Sequence, residues 1–316
     1  MHRAGTLWGM PSLPAPNRCA ETRVSHAGRR ALLAAACSVA LGACTFRADA
    51  DHNGDDAPRV QPLARAPRIA WVLSSGGPRG FTHVGVLRAL HEMGLTPDLI
   101  VGASAGALVG ALRASGIEPA AIESLALGLQ PLALARVALG TDGRLSGAPL
   151  AELVRQHVAV PRLERMPIAM ACVAARQRDG QVVAFTAGDV GLAVQASAAI
   201  EGQFAPVRIR GEPYVDADWH QPLPVRVALA LGARRVLAVD ASAHAERAPP
   251  GAERYRESDA RKKRLVDADA AVADLVLKPD FGYWVSLSRE FRERAIAAGY
   301  RDTLAREREL RALHRV

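Results

Sequence analysis

From Arg68 onward the chain alternates two hydrophobic patterns. Short continuous apolar runs, typical of strands buried on both faces, are separated by stretches whose apolar residues recur every three or four positions. The first run, Ile69-Ala70-Trp71-Val72-Leu73, leads into a glycine loop, Ser74-Ser75-Gly76-Gly77-Pro78-Arg79-Gly80. Val84, Leu87, Leu90 and His91 then fall at helical spacing until Gly94 stops them. A second unit follows: Asp98-Leu99-Ile100-Val101 predicts a strand, Gly102-Ala103-Ser104-Ala105-Gly106 a tight turn, and 107–112 a helix. Further helices are predicted at 119–127, 147–158 and 190–199, and strands at 168–174, 182–186, 207–210, 236–240 and 275–277. Residues 286–316 read as helical, with Glu290/Arg294 and Glu307/Arg311 as supporting pairs. Strand-helix alternation without a break or repeat predicts one α/β domain over 68–316: three α/β/α layers around a mainly parallel sheet.

The pattern before Arg68 is different. Arg29-Arg30 precede an apolar run, 31–43, that is shorter than the about 20 residues needed to span a bilayer. Leu41-Gly42-Ala43-Cys44 fits a lipobox, so 1–43 is expected to be a lipoprotein signal peptide and Cys44 the lipidated mature N-terminus. Thr45 after the cysteine favours a bacterial cell-envelope location, lipid-anchored at the outer membrane and facing the periplasm. Residues 44–67, rich in Ala, Asp, Pro and Arg, are expected to form a flexible tether. Residues 1–23 are a long prefix to such a signal, and both Met1 and Val24 stand as translation starts.

Composition narrows the function. The chain is 49% hydrophobic and 23% charged, as a globular domain is. Its formal charge of +8 comes from scattered arginines; five Arg and one Glu precede Cys44, leaving about +4 for the rest. The single tight basic run, Arg261-Lys262-Lys263-Arg264, fits a solvated or anionic-lipid-facing patch better than a nucleic-acid site. Of Cys19, Cys37, Cys44 and Cys172, processing would leave the last two, which is neither a disulfide framework nor a metal spacing. Neither metal nor cofactor is expected, and Cys172 reads as a buried core thiol.

Two motifs carry chemistry. Ser104, flanked by Gly102 and Gly106 between strand and helix, has the context of a nucleophile elbow. Every residue from Gly102 to Ala107 except the serine is Gly or Ala, which gives the close-passing backbones room. The loop after the first strand aims backbone N–H groups at an anion. It lacks both the Lys-Ser/Thr ending of a phosphate loop and G-x-G-x-x-G spacing, so an oxyanion fits better. Pro78 has no N–H, which leaves Gly76, Gly77 and Arg79 as donors.

These residues resemble the patatin-like phospholipase family. The likeness runs through Leu73 to Leu87, the elbow, Tyr214-Val215-Asp216 with Gln221-Pro222-Leu223-Pro224-Val225, and Asp274-Leu275-Val276-Leu277-Lys278-Pro279. The resemblance implies a serine esterase or lipid acyl hydrolase of phospholipase A or lysophospholipase type. Ser104 would be the nucleophile and Asp216 the general base of a dyad, with the glycine loop as oxyanion hole and an acyl-enzyme intermediate. Phospholipid or another acyl ester would be the substrate, and the membrane surface would be reached through Cys44. Ser75 stands where the family has glycine, and Asp216-Ala217-Asp218 replaces Asp-Gly-Gly or Asp-Gly-Ala. Ala217 would be strained if positive φ were required there, and Asp218 would raise the pKa of Asp216. The alternative is a catalytically impaired lipoprotein of the same fold that binds lipid or a partner protein. A triad drawn from Ser104, His220 or His244, and Asp189 or Asp216 is the other catalytic arrangement the sequence allows.

Overall fold

A computed structural model describes residues 50–130, 134, 136–137 and 143–315. The expected signal segment and Cys44 lie outside the described residues. The elements run β1 (Ile69–Leu73), α1 (Phe81–Glu92), β2 (Leu99–Ala103), α2 (Ala105–Ala114), α3 (Pro119–Gly128), β3 (Arg136–Val137), β4 (Leu145–Ser146) and α4 (Ala148–His157). They continue with β5 (Ala169–Arg176), β6 (Val182–Phe185), α5 (Val190–Ser197), β7 (Val207–Ile209), β8 (Glu212–Asp216) and α6 (Val225–Ala230). The chain ends with β9 (Arg235–Val239), α7 (Arg256–Ala270), β10 (Leu275–Leu277), α8 (Arg289–Leu304) and α9 (Glu307–Leu313).

The central sheet has the order β10-β9-β1-β2-β5-β8-β7, with β6 on the other edge of β5. The strands from β10 to β5 are mutually parallel, whereas β6 and β8 run antiparallel to β5 and β7 antiparallel to β8. The sheet is thus mostly parallel, as expected. Alternation along each strand builds two cores. Ile69, Trp71, Leu73, Ile100, Met170, Cys172, Leu237 and Val239 face α1 and α2. Ala70, Val72, Val101, Ala171, Val173, Val236 and Ala238 face α6 and α7. The second set is mostly Ala and Val, so the helices on that side pack close to the sheet. Each fully buried Leu, Ile or Val contributes about 1.5–3 kcal/mol to folding.

Several elements depart from the sequence pattern. The C-terminal stretch is two helices, because the chain turns at Ala305 and Arg306. Glu307 and Arg311 pair at 2.7 Å as expected, while α8 carries Arg289–Glu293 at 2.8 Å as its i,i+4 pair. The expected tether does not hang free over its described part. The His52 N–H donates to the Arg208 carbonyl at 3.0 Å, Arg59 exchanges bonds with Ala187, and the Asp189 N–H donates to the Asp56 carbonyl at 2.6 Å. Ala57 is fully buried. Backbone groups of the segment thereby satisfy the unpaired edge of the sheet, a use that its polar composition conceals.

Helices α1 and α8 cross with almost no side chain between them. A Cβ on Gly85 would stand 1.9 Å from the Ile296 carbonyl oxygen, and one on Gly299 2.1 Å from that of Thr82. Gly85→Ala must push the helices apart and is expected to cost about 3 kcal/mol. Gly128→Ala meets nothing within 4 Å and is expected to change stability by no more than about 0.5 kcal/mol. Urea midpoints of the two variants measure the difference.

Candidate active site

Strand β5 assembles the site. On one edge it pairs first with β2, ending at Ala103 opposite Val173, and then with the end of β8, where Asp216 lies opposite Ala174. The other edge is taken by β6, which pairs with Cys172 through Ala175. The C-terminal ends of β2 and β8 therefore meet head to head against consecutive residues of β5. Ser104 follows one end and Asp216 closes the other. The loop after β1 opens at the same end of the parallel strands, where open α/β sheets hold their ligands.

Ser104 has φ 53° and ψ −119°, a conformation an L-residue keeps only when its surroundings impose it. Its N–H donates to the Ser197 hydroxyl at 2.8 Å, and that hydroxyl donates to the Val173 carbonyl at 2.5 Å. Ser197, the last residue of α5, thus ties the strained elbow to β5. No local motif marks Ser197 in the sequence. Gly102 and Gly106 do what their size implies. A Cβ on Gly106 would meet the Leu73 carbonyl oxygen at 2.2 Å, and one on Gly102 would meet that of Gly106 at 2.5 Å.

Asp216 is 5% exposed, and the Ser104 hydroxyl lies near enough to its carboxylate to lower its pKa. Burial, followed by the nearby charge of Asp218, pushes its pKa up to about 7. The Ser104 hydroxyl and the bond from the Asp218 N–H, 2.9 Å, act in the opposite direction, as does Lys262. Asp218 is held from two sides: the Ser75 hydroxyl donates to its Oδ1, and Lys262 Nζ lies 2.6 Å from the same atom. Ser75 and Asp218, two of the three positions at which the sequence departs from the pattern it resembles, therefore touch. Lys262, expected within an exposed basic run, instead reaches into the site.

Two expectations are corrected. Ala217 needs no positive φ: among the described non-glycine residues only Ser104 and Arg210 have one. The Ala217 carbonyl instead accepts from the N–H groups of His220 and Gln221, at 2.9 and 2.8 Å, in a turn that an alanine can enter. Arg79 is not free as an oxyanion donor, because its N–H donates to the Gly76 carbonyl at 3.0 Å. The Gly76 and Gly77 N–H groups have no acceptor among the described residues, nor has that of Ala105, the first residue of α2. Ala105 is a donor the sequence reading passed over, although the residue after the nucleophile serves this purpose in other elbows.

Side chains brace the glycine loop. Arg79 Nε donates to the Ala241 carbonyl at 2.8 Å, and Nη1 donates to those of Gly282 and Tyr283 at 2.8 and 3.2 Å. Its guanidinium lies 4.3 Å from the centre of the Phe281 ring, and burial lowers its pKa to about 10, which leaves it charged. His83 is fully buried, and burial lowers its pKa to about 4, so the ring is neutral near pH 7. Its Nε2 is 2.9 Å from the Ser74 carbonyl, an acceptor, so Nε2 carries the proton. The Ser74 hydroxyl accepts from the Ala241 N–H at 2.8 Å.

The alternative triad does not assemble. Asp189 accepts two bonds from Arg155, both 2.9 Å, and caps α5 through the Leu192 N–H. His244 lies 3.1 Å from Glu246, and His220 packs against Gly180. Cys172 is fully buried, and burial pushes its thiol well above the usual range.

Comparison with known proteins identifies the lineage. A family model described as patatin-like phospholipase matches residues 71–229, which include the glycine loop, the elbow and Asp216. The chain belongs to the patatin-like phospholipase family. It is 34% identical over 176 residues to an uncharacterized NTE family protein of Mycobacterium bovis, covering 55% of this chain and 49% of that protein. It is 30% identical over 200 residues to Lysophospholipase NTE1 of Mycosarcoma maydis, covering 60% of this chain and 10% of that protein. The chain thus spans about half the length of the mycobacterial relative and about a tenth of the fungal one. The crystal structure of VipD from Legionella pneumophila shares the fold, with a TM-score of 0.53, 16% identity, and coverage of 83% of this chain and 71% of that one. The patatin-like fold therefore brings Ser104, Asp216 and the glycine loop together in this chain.

Titration of the Asp216 carboxyl by NMR is expected to show a midpoint near pH 7. Asp218→Asn removes a negative neighbour and lowers the midpoint, whereas Lys262→Met removes a positive one and raises it. Because the folded state holds this proton more tightly than the unfolded chain does, stability falls as pH rises from about 4 through 7. Asp216→Asn, free of that charge, is expected to melt at a higher temperature than wild type at pH 8.

Proposed function

We propose that this chain is a serine lipid acyl hydrolase that uses a Ser104–Asp216 dyad. One observation carries the proposal: β5 brings a strained elbow serine up against a buried carboxylate of raised pKa, beside unpaired backbone amides. Ionised Asp216 accepts the Ser104 proton as Oγ attacks the ester carbonyl carbon. The carbonyl oxygen takes up the displaced electron pair as an oxyanion, which the Gly76 and Gly77 amides stabilise. Collapse expels the leaving alcohol, which receives the proton from Asp216, and leaves an acyl group on Ser104. Water then attacks that ester, Asp216 takes its proton, and the carboxylic acid departs as Oγ is reprotonated.

A carboxylate at its reference pKa of about 4 is a weak acceptor for a serine proton. Raising it to about 7 narrows that mismatch while keeping the group largely ionised above neutral pH. The positive end of α2 beneath Ser104 favours the developing charge. Similarity to a fungal lysophospholipase supports a lipid ester as substrate and a phospholipase A or lysophospholipase type of reaction. Lipidation of Cys44 would hold the domain at the periplasmic face of the outer membrane. Among the described residues no helix is long and apolar enough to cross a membrane. The impaired-lipoprotein alternative rested on Asp216-Ala217-Asp218; the absence of positive φ at Ala217 supports the enzyme reading over it.

Hydrolysis of a soluble p-nitrophenyl ester tests the proposal. The wild-type chain is expected to turn over, with kcat/KM rising tenfold per pH unit below about pH 7 and level above it. Ser104→Ala and Asp216→Asn are expected to lose about a thousandfold or more. Equal rates in wild type and Ser104→Ala would remove the serine from the chemistry.

A further inference from the structure

Beside the glycine loop the chain exposes apolar side chains that its own fold does not need. Trp284, Val285 and Leu287 are 47%, 53% and 48% exposed, and Tyr255 37%. The first three stand in one loop between β10 and α8. Trp284 meets the rings of Tyr283 and Tyr255 edge-on, with centroids 5.2 and 6.2 Å away, so the three aromatics form one cluster. The Arg254 guanidinium lies 4.7 Å from the centre of the Tyr255 ring. Among the described residues neither Arg254 nor its neighbour Arg256 forms a salt bridge.

The loop is braced from beneath. Phe281 is buried under the Arg79 guanidinium, which also binds the carbonyls of Gly282 and Tyr283. The Tyr283 hydroxyl donates to Asp259 on α7 at 2.5 Å. The same α7 supplies Lys262 to Asp218. The base of the loop, at Gly282 and Tyr283, is therefore held in place and tied through Arg79 to the loop that carries Gly76 and Gly77.

We infer that the Tyr255 and 283–287 surface docks on an anionic lipid bilayer and presents the site to it, an inference that rests on the lipid-ester reading above. Three features select this occupant. The tip combines wholly apolar side chains with tyrosines, the composition that settles at headgroup depth. Its flank carries Arg254, which lies over the Tyr255 ring and forms no salt bridge among the described residues, and which complements lipid phosphate, whereas Arg256 faces Glu253. The tip adjoins the site, so docking delivers an acyl ester to Ser104 without the lipid having to cross water. A second copy fits less well, because a two-fold contact centred here would bring Arg254 toward its own counterpart.

The test uses the full chain carrying Cys44→Ala, so that no acyl anchor contributes, with Ser104→Ala added for binding measurements. Flotation with phosphatidylcholine vesicles, with and without phosphatidylglycerol, is expected to show binding that phosphatidylglycerol strengthens and a blue shift of tryptophan emission. The triple variant Trp284→Ser, Val285→Ser, Leu287→Ser is expected to weaken binding about tenfold or more and to abolish the shift. Hydrolysis of the soluble ester by the same variant on the active background stays at the wild-type rate. Flotation unchanged by the triple variant overturns the inference. So does an apolar surface shown by gel filtration to close a dimer that the triple variant dissolves. A chain that docks through the patch but hydrolyses no ester refutes the esterase reading alone. One that hydrolyses the soluble ester but ignores vesicles refutes the docking surface alone.

Discussion

Everything at this site depends on a carboxylate buried against a serine. Asp216 is closed off from solvent at the end of β8, and Ser104 stands at a backbone conformation no alanine or serine adopts unaided. Neither arrangement is stable in isolation. They coexist because β5 gives its edge first to β2 and then to β8, and because Ser197 ties the Ser104 amide to the Val173 carbonyl. The sheet beneath supplies the stability that the site consumes.

The electrostatics follow from the same geometry. Burial alone would drive Asp216 toward its protonated form, and Asp218 pushes further in that direction. Lys262, paired with Asp218, acts in the opposite direction but least of the neighbours, and the Asp216 pKa comes to about 7. Substitutions that look damaging one by one are compatible because they meet: a serine in the glycine loop, an extra aspartate and a lysine from α7 form one hydrogen-bonded group. Arg79 plays the corresponding part on the other wall, exchanging a role as oxyanion donor for one as a brace between Ala241, Gly282 and Tyr283.

What the sequence discloses is local, and what it hides is long-range. The β1 loop and the elbow are legible because close backbone approach leaves only Gly and Ala workable, as the 2.2 Å clash at Gly106 shows. Strand β8, which carries Asp216, is not legible, because Glu-Pro-Tyr-Val-Asp has neither alternation nor an apolar run. Helix α7 is missed because only Val266 and Asp269 of its fifteen residues are buried, which leaves no apolar stripe to count. Ser197, Lys262 and the packed part of the expected tether act through contacts between residues far apart in the chain, for which a single sequence carries no signal.

The most direct measurement is covalent labelling by a fluorophosphonate, which reacts with a serine only where a base and an oxyanion hole activate it. Mass spectrometry of the labelled wild-type chain is expected to find the adduct on Ser104, and Asp216→Asn is expected to label far more slowly while remaining folded. Absence of label, an adduct on another serine, or equal labelling of Asp216→Asn would contradict the dyad on which the functional reading stands.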